Sequence, residues 1–167
     1  MSQVVSNSSI AFEKVNEGNI QEALHIYKAN PMYFSLFGDQ PSMESLEKDL
    51  KAKPDGVSSE NKHYCLIKKA GESIGLIDAI MSYPEEKSIY IGLYMMKHHR
   101  KGSGKEAWKE IERQVLHKGY QAIQLGVLAK NISALNFWEH NGFQKTGRKN
   151  TKIKGKTVEV IEMKKYV

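Results

Sequence analysis

The chain has almost no cysteine. Its 167 residues include one, Cys65, so neither a disulfide framework nor a zinc site built from paired cysteines can form within it. A chain without disulfides suits a reduced compartment, and we expect a cytoplasmic location. Cys65 lies in HYCLIKK, which has the composition of a strand. Because free cysteine is among the most buried residue types, we expect Cys65 to lie in the core.

Long hydrophobic runs are also missing. No segment approaches the roughly 18 consecutive apolar residues of a membrane-spanning helix, and MSQVVSNSSIAFEK lacks the basic cluster and apolar run of a secretory signal. The sequence therefore predicts no membrane partner. Hydrophobic residues make up 40% of the chain, and its length suits one buried core better than two ordinary domains. We expect a single domain over residues 1–167.

Acidic residues are fewer than basic ones. The chain has 19 Asp and Glu against 25 Lys and Arg, which gives a net charge of +6 and a pI near 9.2. This balance favours an anionic partner. It does not distinguish nucleic acid from a phosphorylated cofactor.

The hydrophobic pattern changes period along the chain. Apolar residues recur at helical spacing from Ile20 to Tyr27, and Pro31 is expected to end that helix. NPMYFSLFGDQP is then interpreted as a loop, after which Ser42 caps a second helix. Three β-rich runs within residues 63–96 are typical of an antiparallel meander. The predicted order is β-α-α-β-β-β-α-β-α-β-β, with the last two strands turning at Lys154-Gly155.

The segment KHHRKGSGKEAW, from residue 97 on, combines basic residues with two glycines where a strand changes into a helix. Such a turn presents free backbone N–H groups and the positive end of the helix dipole to one point, which suits a phosphate. Gly102 and Gly104 allow the backbone to come close. The charges of Arg100, Lys101 and Lys105 favour a polyphosphate over a single carboxylate.

Other interpretations of this turn are weaker. GSGKEA lacks the four residues between glycines that a P-loop requires. It matches the dinucleotide pattern G-x-G-x-x-A, but no acidic residue ends the following strand, and the 63 residues after Gly104 are too few for a doubly wound domain. A solvated basic turn that only caps the helix stays open as an alternative.

Two segments together resemble a known family. YIGLYMMKHHRKGSG, at Tyr90–Gly104, resembles the coenzyme A signature of the GCN5-related N-acetyltransferases (GNAT family), in which a strand leads into Gln/Arg-x-x-Gly-x-Gly/Ala. NISALNFWEHNGF, at Asn131–Phe143, begins 27 residues after Gly104 and is similar to the family's second motif, Asn-x-x-Ala-x-x-x-Tyr-x-x-x-Gly-Phe. With the series of strands and helices, the resemblance covers Ser9–Val167.

The resemblance implies an α/β (α+β) fold. This fold has a mixed, mostly antiparallel sheet of six to seven strands, about four flanking helices, and a parallel pair of strands splayed open to admit the pantetheine arm of acetyl-CoA. In this sequence the splayed strands would be Ser88–Met96 and Ala122–Leu128.

The resemblance also implies the residues that bind acetyl-CoA, and it implies no metal. The turn would hold the pyrophosphate through the backbone amides of Arg100–Lys105. A backbone N–H near Tyr94–Met96 would meet the thioester carbonyl, where a fixed donor stabilises the developing oxyanion. The expected cofactor contacts are Tyr94, Met95, Met96, His99, Arg100, Lys101, Gly102, Ser103, Gly104, Lys105, Asn131, Ala134, Phe137 and Trp138.

Two positions depart from the family's pattern. His99 stands where the family has Gln or Arg, and Arg100 follows one residue later, so the pyrophosphate contact is expected to be rebuilt rather than lost. Trp138 stands where the family's Tyr often protonates the departing coenzyme A. An indole N–H has no titratable proton, so Trp138 cannot be that acid. A thiol with a pKa near ~8.5 can leave largely as thiolate. Asn131 also suits a helix N-cap, and Trp138 a core position.

The acceptor amine must lose a proton, and Asp78 is the first candidate for the base or for a carboxylate that contacts the substrate. It interrupts the apolar run IGLIDAIM, and a structural role as an acceptor for neighbouring groups is the alternative. Tyr33, Phe34 and Tyr83 are expected to contact the substrate, although packing explains the aromatic residues of NPMYFSLFGDQP almost as well. The positions expected at the reacting atoms are Asp78, Met96 and Trp138.

These features predict an acetyl-CoA-dependent N-acetyltransferase that acts on a primary amine, either a small molecule or a protein amino group, by direct transfer in a ternary complex. Trp138 favours a second hypothesis, a non-catalytic acyl-CoA binder or sensor. The basic charge favours a third, a nucleic-acid-binding module, but the hairpin GRKNTKIKGK has no aromatic residue on which a base could stack. Homodimerisation stays open.

Overall fold

A computed structural model describes residues 9–99 and 102–167. Within these residues no helix is long and apolar enough to cross a membrane, and no three His, Cys, Asp or Glu side chains cluster as metal ligands. The strands are β1 (Ile10–Lys14), β2 (Lys62–Lys69), β3 (Glu72–Met81), β4 (Ser88–Met96), β5 (Ala122–Leu128), β6 (Gln144–Ile153) and β7 (Lys156–Tyr166). The helices are α1 (Ile20–Lys28), α2 (Pro31–Ser35), α3 (Met43–Lys51), α4 (Ser103–His117) and α5 (Ile132–His140), with a short 3₁₀ turn at Ser59–Asn61.

The seven strands form one sheet in the order β1-β2-β3-β4-β5-β7-β6. Every neighbouring pair is antiparallel except β4 and β5, which are parallel. Helix α4 makes the crossover between these two parallel strands, as a parallel pair requires. The predicted mixed sheet, its parallel pair and the turn at Lys154-Gly155 are confirmed.

The segment NPMYFSLFGDQP is where the predicted elements were wrong. Pro31–Ser35 forms α2, so the described residues contain five α-helices rather than about four. Proline at the start of a helix is favourable, because its fixed φ suits the first turn and its missing N–H would have had no partner there. Pro31 therefore ends α1 and also begins the next helix.

The two faces of the sheet carry separate cores. Helices α4 and α5 cover one of them, the α4/α5 face, where Trp108 is fully buried and Cys65 lies in the core as predicted. Helices α1, α2 and α3 cover part of the other, the α1–α3 face, around Tyr27 and Leu46. Because side chains alternate along a strand, each position of β4 and β5 can be assigned to one face.

A bulge interrupts the ladder between β3 and β4. Asp78 and Ala79 are consecutive on β3, but their partners on β4 are Leu93 and Ile91, which leaves Gly92 as an extra residue. A bulge bends its strand and increases the local twist. A Cβ atom at Gly92 would lie 3.1 Å from Oδ2 of Asp78, a distance that few real side chains tolerate. Glycine therefore permits the bulge.

The parallel strands separate directly after this bulge. Their pairing covers four residues of each strand and ends at Ile91 and Leu125. Beyond that point β4 continues to Met96 and β5 to Leu128 without pairing to each other. The predicted splayed pair is thus confirmed, with the predicted bounds for both strands.

A chain of buried hydroxyl groups joins the sheet to α1 and α3. The Tyr27 hydroxyl donates to Oδ2 of Asp49 at 2.6 Å and lies 2.5 Å from the Tyr64 hydroxyl. Because the Tyr27 hydroxyl donates its one proton to Asp49, the Tyr64 hydroxyl must donate to the Tyr27 oxygen. Burial raises the pKa of both phenols, so both stay protonated.

The direction of this chain predicts unequal costs for two similar variants. Tyr27→Phe leaves the Asp49 carboxylate without its donor and the Tyr64 proton without its acceptor, and should lower the free energy of unfolding by about 2–3 kcal/mol. Tyr64→Phe leaves Tyr27 bound to Asp49 and should cost about 1 kcal/mol. Urea unfolding of both variants measures the difference. Equal costs, or a larger cost for Tyr64→Phe, would contradict the assigned direction.

Candidate active site

Backbone groups line the gap between β4 and β5. The Lys97 amide donates to the Ile74 carbonyl of β3 at 2.7 Å. In an antiparallel ladder the residues on either side of a bonded one point their N–H groups the other way. The amides of Met96 and Tyr94 therefore point away from β3 and into the gap. They are suited to receive a carbonyl oxygen, as predicted for the thioester.

Helix α4 begins next to the end of β4. Gly102 is its N-cap, with φ +69°, a left-handed conformation that glycine adopts without steric cost. Within the described residues no side chain caps this helix, so its first amides are available to an anion. A Cβ atom at Gly104 would lie 3.4 Å from Met96 Cγ and 3.6 Å from the Phe137 ring. The turn therefore lies against the end of β4, and this arrangement fits a diphosphate whose arm enters the gap.

Of the basic residues predicted around this turn, only some lie within the described part of the chain. Arg100 and Lys101 lie outside the described residues, so their predicted contacts stay predictions. Lys105 is exposed and Ser103 is half-buried. Both lie in the first turn of α4, and their contacts with a diphosphate stay predictions.

The side chain of Asn30 holds the residues that lead from β4 into the glycine-containing turn. The sequence analysis did not identify this role of Asn30. This side chain is buried, and its Nδ2 donates to the carbonyls of Ile26 and Met96, each at 2.9 Å. Its Oδ1 lies 2.5 Å from Nε2 of His99. Since both amide hydrogens of Asn30 are used, Oδ1 is the acceptor and His99 carries a proton on Nε2. No local pattern could have revealed a contact that spans 66 residues to Met96.

The second motif forms α5, which packs on the α4/α5 face of the sheet. Asn131 caps this helix, since its side chain accepts from the Ala134 amide at 3.2 Å. The expected N-cap role is confirmed, and a contact with the cofactor arm stays a prediction. Trp138 is 6% exposed and packs edge-on against Trp108, with ring centroids 4.7 Å apart. The core role expected for Trp138 is present as well.

Tyr94 links β4 to both helices of this face. Its hydroxyl donates to the Gly104 carbonyl at 2.6 Å, and its ring stacks on Phe137 at 5.8 Å. Burial raises the pKa of this phenol. Tyr94 thereby positions the turn that contains Gly102 and Gly104, the glycine turn, against β4. Its neighbour Met95 is buried on the opposite face, in the core of the α1–α3 helices.

Asp78 lies on the α1–α3 face beside the bulge. Its Oδ2 accepts from Lys62 Nζ at 2.9 Å, and the side chains of Asp78 and Lys62 are 13% and 6% exposed. Its Oδ1 is buried and has no hydrogen-bond partner among the described residues. Burial raises the pKa of this carboxyl group, although Lys62 opposes the shift. The structural role expected as an alternative is present, and a role as base stays a prediction.

A cavity of about 520 Å³ opens on the same side of the molecule. The tip of the β6–β7 hairpin forms one wall, because Lys154 Nζ donates to Asp39 at 2.6 Å and to Ser45 at 3.2 Å. Of the predicted substrate residues, Phe34 is 2% exposed and Tyr33 is half-buried. The residues lining the cavity are Phe37, Gly38, Asp39, Ser42, Glu44, Ser45, Lys48, Asp49 and Lys154.

Tyr83 and Tyr90 lie where β4 and β5 separate. Their rings meet edge to face, with centroids 5.8 Å apart and planes at 82°. A Cβ atom at Gly126, the first residue of β5 beyond the pairing, would lie 3.3 Å from the Tyr90 hydroxyl and 2.8 Å from Val160. The sequence singled out Tyr83 but missed Tyr90, because the closeness of Tyr90 to Gly126 depends on pairing between distant strands.

The chain matches one family model and many solved structures. The family model described as the acetyltransferase (GNAT) family matches residues 24–143. An acetyltransferase from Thermus thermophilus is 21% identical, with a TM-score of 0.73 over 95% of this chain and 97% of that one. Spermidine N-acetyltransferase from Vibrio cholerae, in complex with CoA and spermine, is 18% identical, with a TM-score of 0.71 over 96% of each chain.

A third solved structure is the ribosomal-protein-S18-alanine N-acetyltransferase from Escherichia coli, which is 13% identical, with a TM-score of 0.67 over 94% of this chain and 93% of that one. No curated protein sequence matches the chain. The matched residues 24–143 cover well over half of the chain and include the splayed strands, the glycine turn and α5. The chain therefore belongs to the GNAT family of acetyltransferases.

Proposed function

We propose that the protein transfers an acetyl group from acetyl-CoA to a primary amine by direct attack within a ternary complex. One observation carries this proposal. The gap between β4 and β5 opens at the same end of the sheet as the uncapped N-terminus of α4. A diphosphate on the first amides of α4 would aim an attached arm into the gap, where the Tyr94 and Met96 amides are available to a thioester carbonyl.

The proposed acceptor side is the α1–α3 face. An ammonium group there would give a proton to the free Oδ1 of Asp78 and then attack the thioester carbonyl as a neutral amine. The backbone donors of β4 would stabilise the negative charge on the carbonyl oxygen. Because these donors are held by the fold, they need no reorganisation during the reaction.

The acceptor is a small-molecule amine or a protein amino group. The similar solved structures include a spermidine N-acetyltransferase and a ribosomal-protein-alanine N-acetyltransferase, and at these identities they support the fold alone. The panel that tests turnover should therefore contain polyamines, amino acids, aminoglycosides and peptides with free N-termini. Release of free thiol with any of them supports transfer, and no release with the whole panel would contradict it.

Trp138 supports a second candidate function, a non-catalytic acyl-CoA binder. Its indole occupies the position of the family's tyrosine and cannot protonate a thiolate. A missing general acid costs at most about 10²–10⁴-fold in rate, so the substitution alone does not exclude turnover. A binder would be stabilised by acetyl-CoA and would release no thiol with any amine.

Acetyl-CoA should stabilise the folded protein. At 100 times its dissociation constant, a ligand that binds only the folded state adds about 2.7 kcal/mol to the free energy of unfolding. Gly102→Val should abolish most of this gain, because its side chain would crowd the diphosphate. Thermal unfolding with and without acetyl-CoA measures both effects.

Gly56→Val is the matched control for this experiment. Gly56 also has a positive φ, +80°, and open space around its Cβ position, but it lies far along the chain from the glycine turn, in the connection after α3. The control should lose stability through backbone strain and keep its full response to acetyl-CoA. A normal response in Gly102→Val would show that the turn does not hold the diphosphate.

Asp78→Asn should lower kcat/KM for the amine by about 10²–10⁴-fold, since it removes the proposed base. In the wild type, kcat/KM should fall as the pH drops through the pKa of Asp78, because the carboxylate is the active form and burial raises that pKa. This acidic limb should be absent from the variant. An unchanged rate, or an unchanged pH profile, would contradict the role of Asp78.

A double variant separates this role from the ion pair. Asp78→Asn also leaves the buried Lys62 charge without its partner, at a cost of about 3–5 kcal/mol. Replacing both residues, as Lys62→Met with Asp78→Leu, should restore most of the stability, because a buried pair exchanged for apolar residues is often neutral. Activity should stay low. Recovered activity would mean that Asp78 serves only the fold.

A further inference from the structure

The proposed reaction requires a proton for the departing thiolate, and neither Trp138 nor the neighbouring Tyr94 can supply it. Trp138 has no titratable proton. Tyr94 lies beside it, with ring centroids 5.6 Å apart, but its hydroxyl is bound to the Gly104 carbonyl and its ring is enclosed by Trp108 and Phe137. On the other face, Tyr27 and Tyr64 bind each other and Asp49.

Tyr90 is placed differently. Its neighbours Ile89 and Ile91 belong to the core of the α4/α5 face, so Tyr90 projects from the α1–α3 face of β4. A side chain at Gly126 would project from the same face of β5. The position that its Cβ atom would occupy is 3.3 Å from the Tyr90 hydroxyl. Gly126 is the first residue of β5 beyond its pairing with β4. The Tyr90 hydroxyl therefore lies at the apex of the gap, the point where the two strands separate.

Glycine lets side chains of β4 and β7 approach β5 closely at this apex. Across β5, β7 and β6, Gly126 pairs with Glu162, and Glu162 pairs with Gly147. Two glycines therefore lie in one row across three strands, with one carboxylate between them. Glu162 is paired with Lys149 at 3.1 Å, and its Oε2 lies 3.5 Å from the Cβ position of Gly147. The Cβ position of Gly126 is instead approached by Val160, at 2.8 Å, and by the Tyr90 hydroxyl.

The Tyr90 hydroxyl makes no hydrogen bond to any described residue. The edge-to-face contact with Tyr83 fixes the plane of its ring. Burial raises the pKa of the phenol, so it carries its proton at neutral pH. An oriented, protonated hydroxyl group without a hydrogen-bond partner among the described residues therefore lies where the strands part, within the electrostatic influence of Lys149 and Glu162.

We propose that Tyr90 is the proton shuttle of the acetyl transfer, in the place of the acid that Trp138 cannot be. This inference rests on the proposed function. As the C–S bond of the tetrahedral adduct breaks, the electron pair goes to sulfur and the phenol O–H gives its proton to that sulfur. The tyrosinate then takes the remaining extra proton from the nitrogen. The net change moves one proton from nitrogen to sulfur and regenerates the phenol.

Tyr90→Phe tests the proposal, because it removes only the hydroxyl oxygen. We expect kcat to fall by about 100-fold or more, with KM for the amine and affinity for acetyl-CoA within twofold of the wild type. Tyr120→Phe is the matched control. Tyr120 is also half-buried against the core, and its variant should keep the wild-type kcat. Stabilisation of each variant by acetyl-CoA verifies that it is folded.

The ultraviolet absorbance of the bound CoA thiolate gives a readout that does not depend on turnover. A hydrogen bond from Tyr90 favours the thiolate, so the thiol of bound CoA should titrate at a lower pH in the wild type than in Tyr90→Phe. If kcat in Tyr90→Phe stays within threefold of the control, Tyr90 is not the shuttle. A lower kcat with an unchanged thiol titration would assign Tyr90 a structural role instead. If the wild type itself neither binds acetyl-CoA nor releases thiol, the proposed function fails.

Discussion

The extra residue at Gly92 is the constraint on which the candidate site depends. It lets β4 remain paired with β3 while bending at the point where its parallel partner β5 ends its pairing. A side chain at position 92 would crowd the bend, because Oδ2 of Asp78 lies 3.1 Å from the position of a Cβ atom. Asp78 in turn is held by Lys62. The glycine at position 92 and the buried ion pair of Asp78 and Lys62 therefore lie where the gap between β4 and β5 opens. Backbone groups without a strand partner line this gap.

The gap also divides the chemistry between the two faces of the sheet. Helices α4 and α5 bring the uncapped N-terminus of α4 and the aromatic side chains of α5 to one face. The other face carries Asp78, Tyr90 and the cavity closed by Lys154. A thioester held between the strands would be reached from the second face by an amine while its diphosphate stayed on the first.

The sequence predicted the parts of the fold that depend on local patterns. The bounds of β4 and β5 and the cap at Asn131 follow from composition and spacing over a few residues. The helix predicted after KGSG is present but begins earlier, at Ser103, between the two glycines. Contacts between distant segments could not be found this way. Asn30 reaches Met96 across 66 residues, and Lys154 reaches Asp39 across 115. Helix α2 was missed because proline was read only as the end of one helix, although it favours the first turn of another.

Amide hydrogen exchange tests the central claim most directly, namely that the gap receives the arm and thioester of acetyl-CoA. The Tyr94 and Met96 amides point into the gap, whereas the amides of Met95 and Lys97 point to β3. The account predicts that acetyl-CoA slows exchange at Tyr94 and Met96 much more than at Met95 and Lys97. Equal changes at all four positions, or slower exchange only at residues outside the gap, would contradict it.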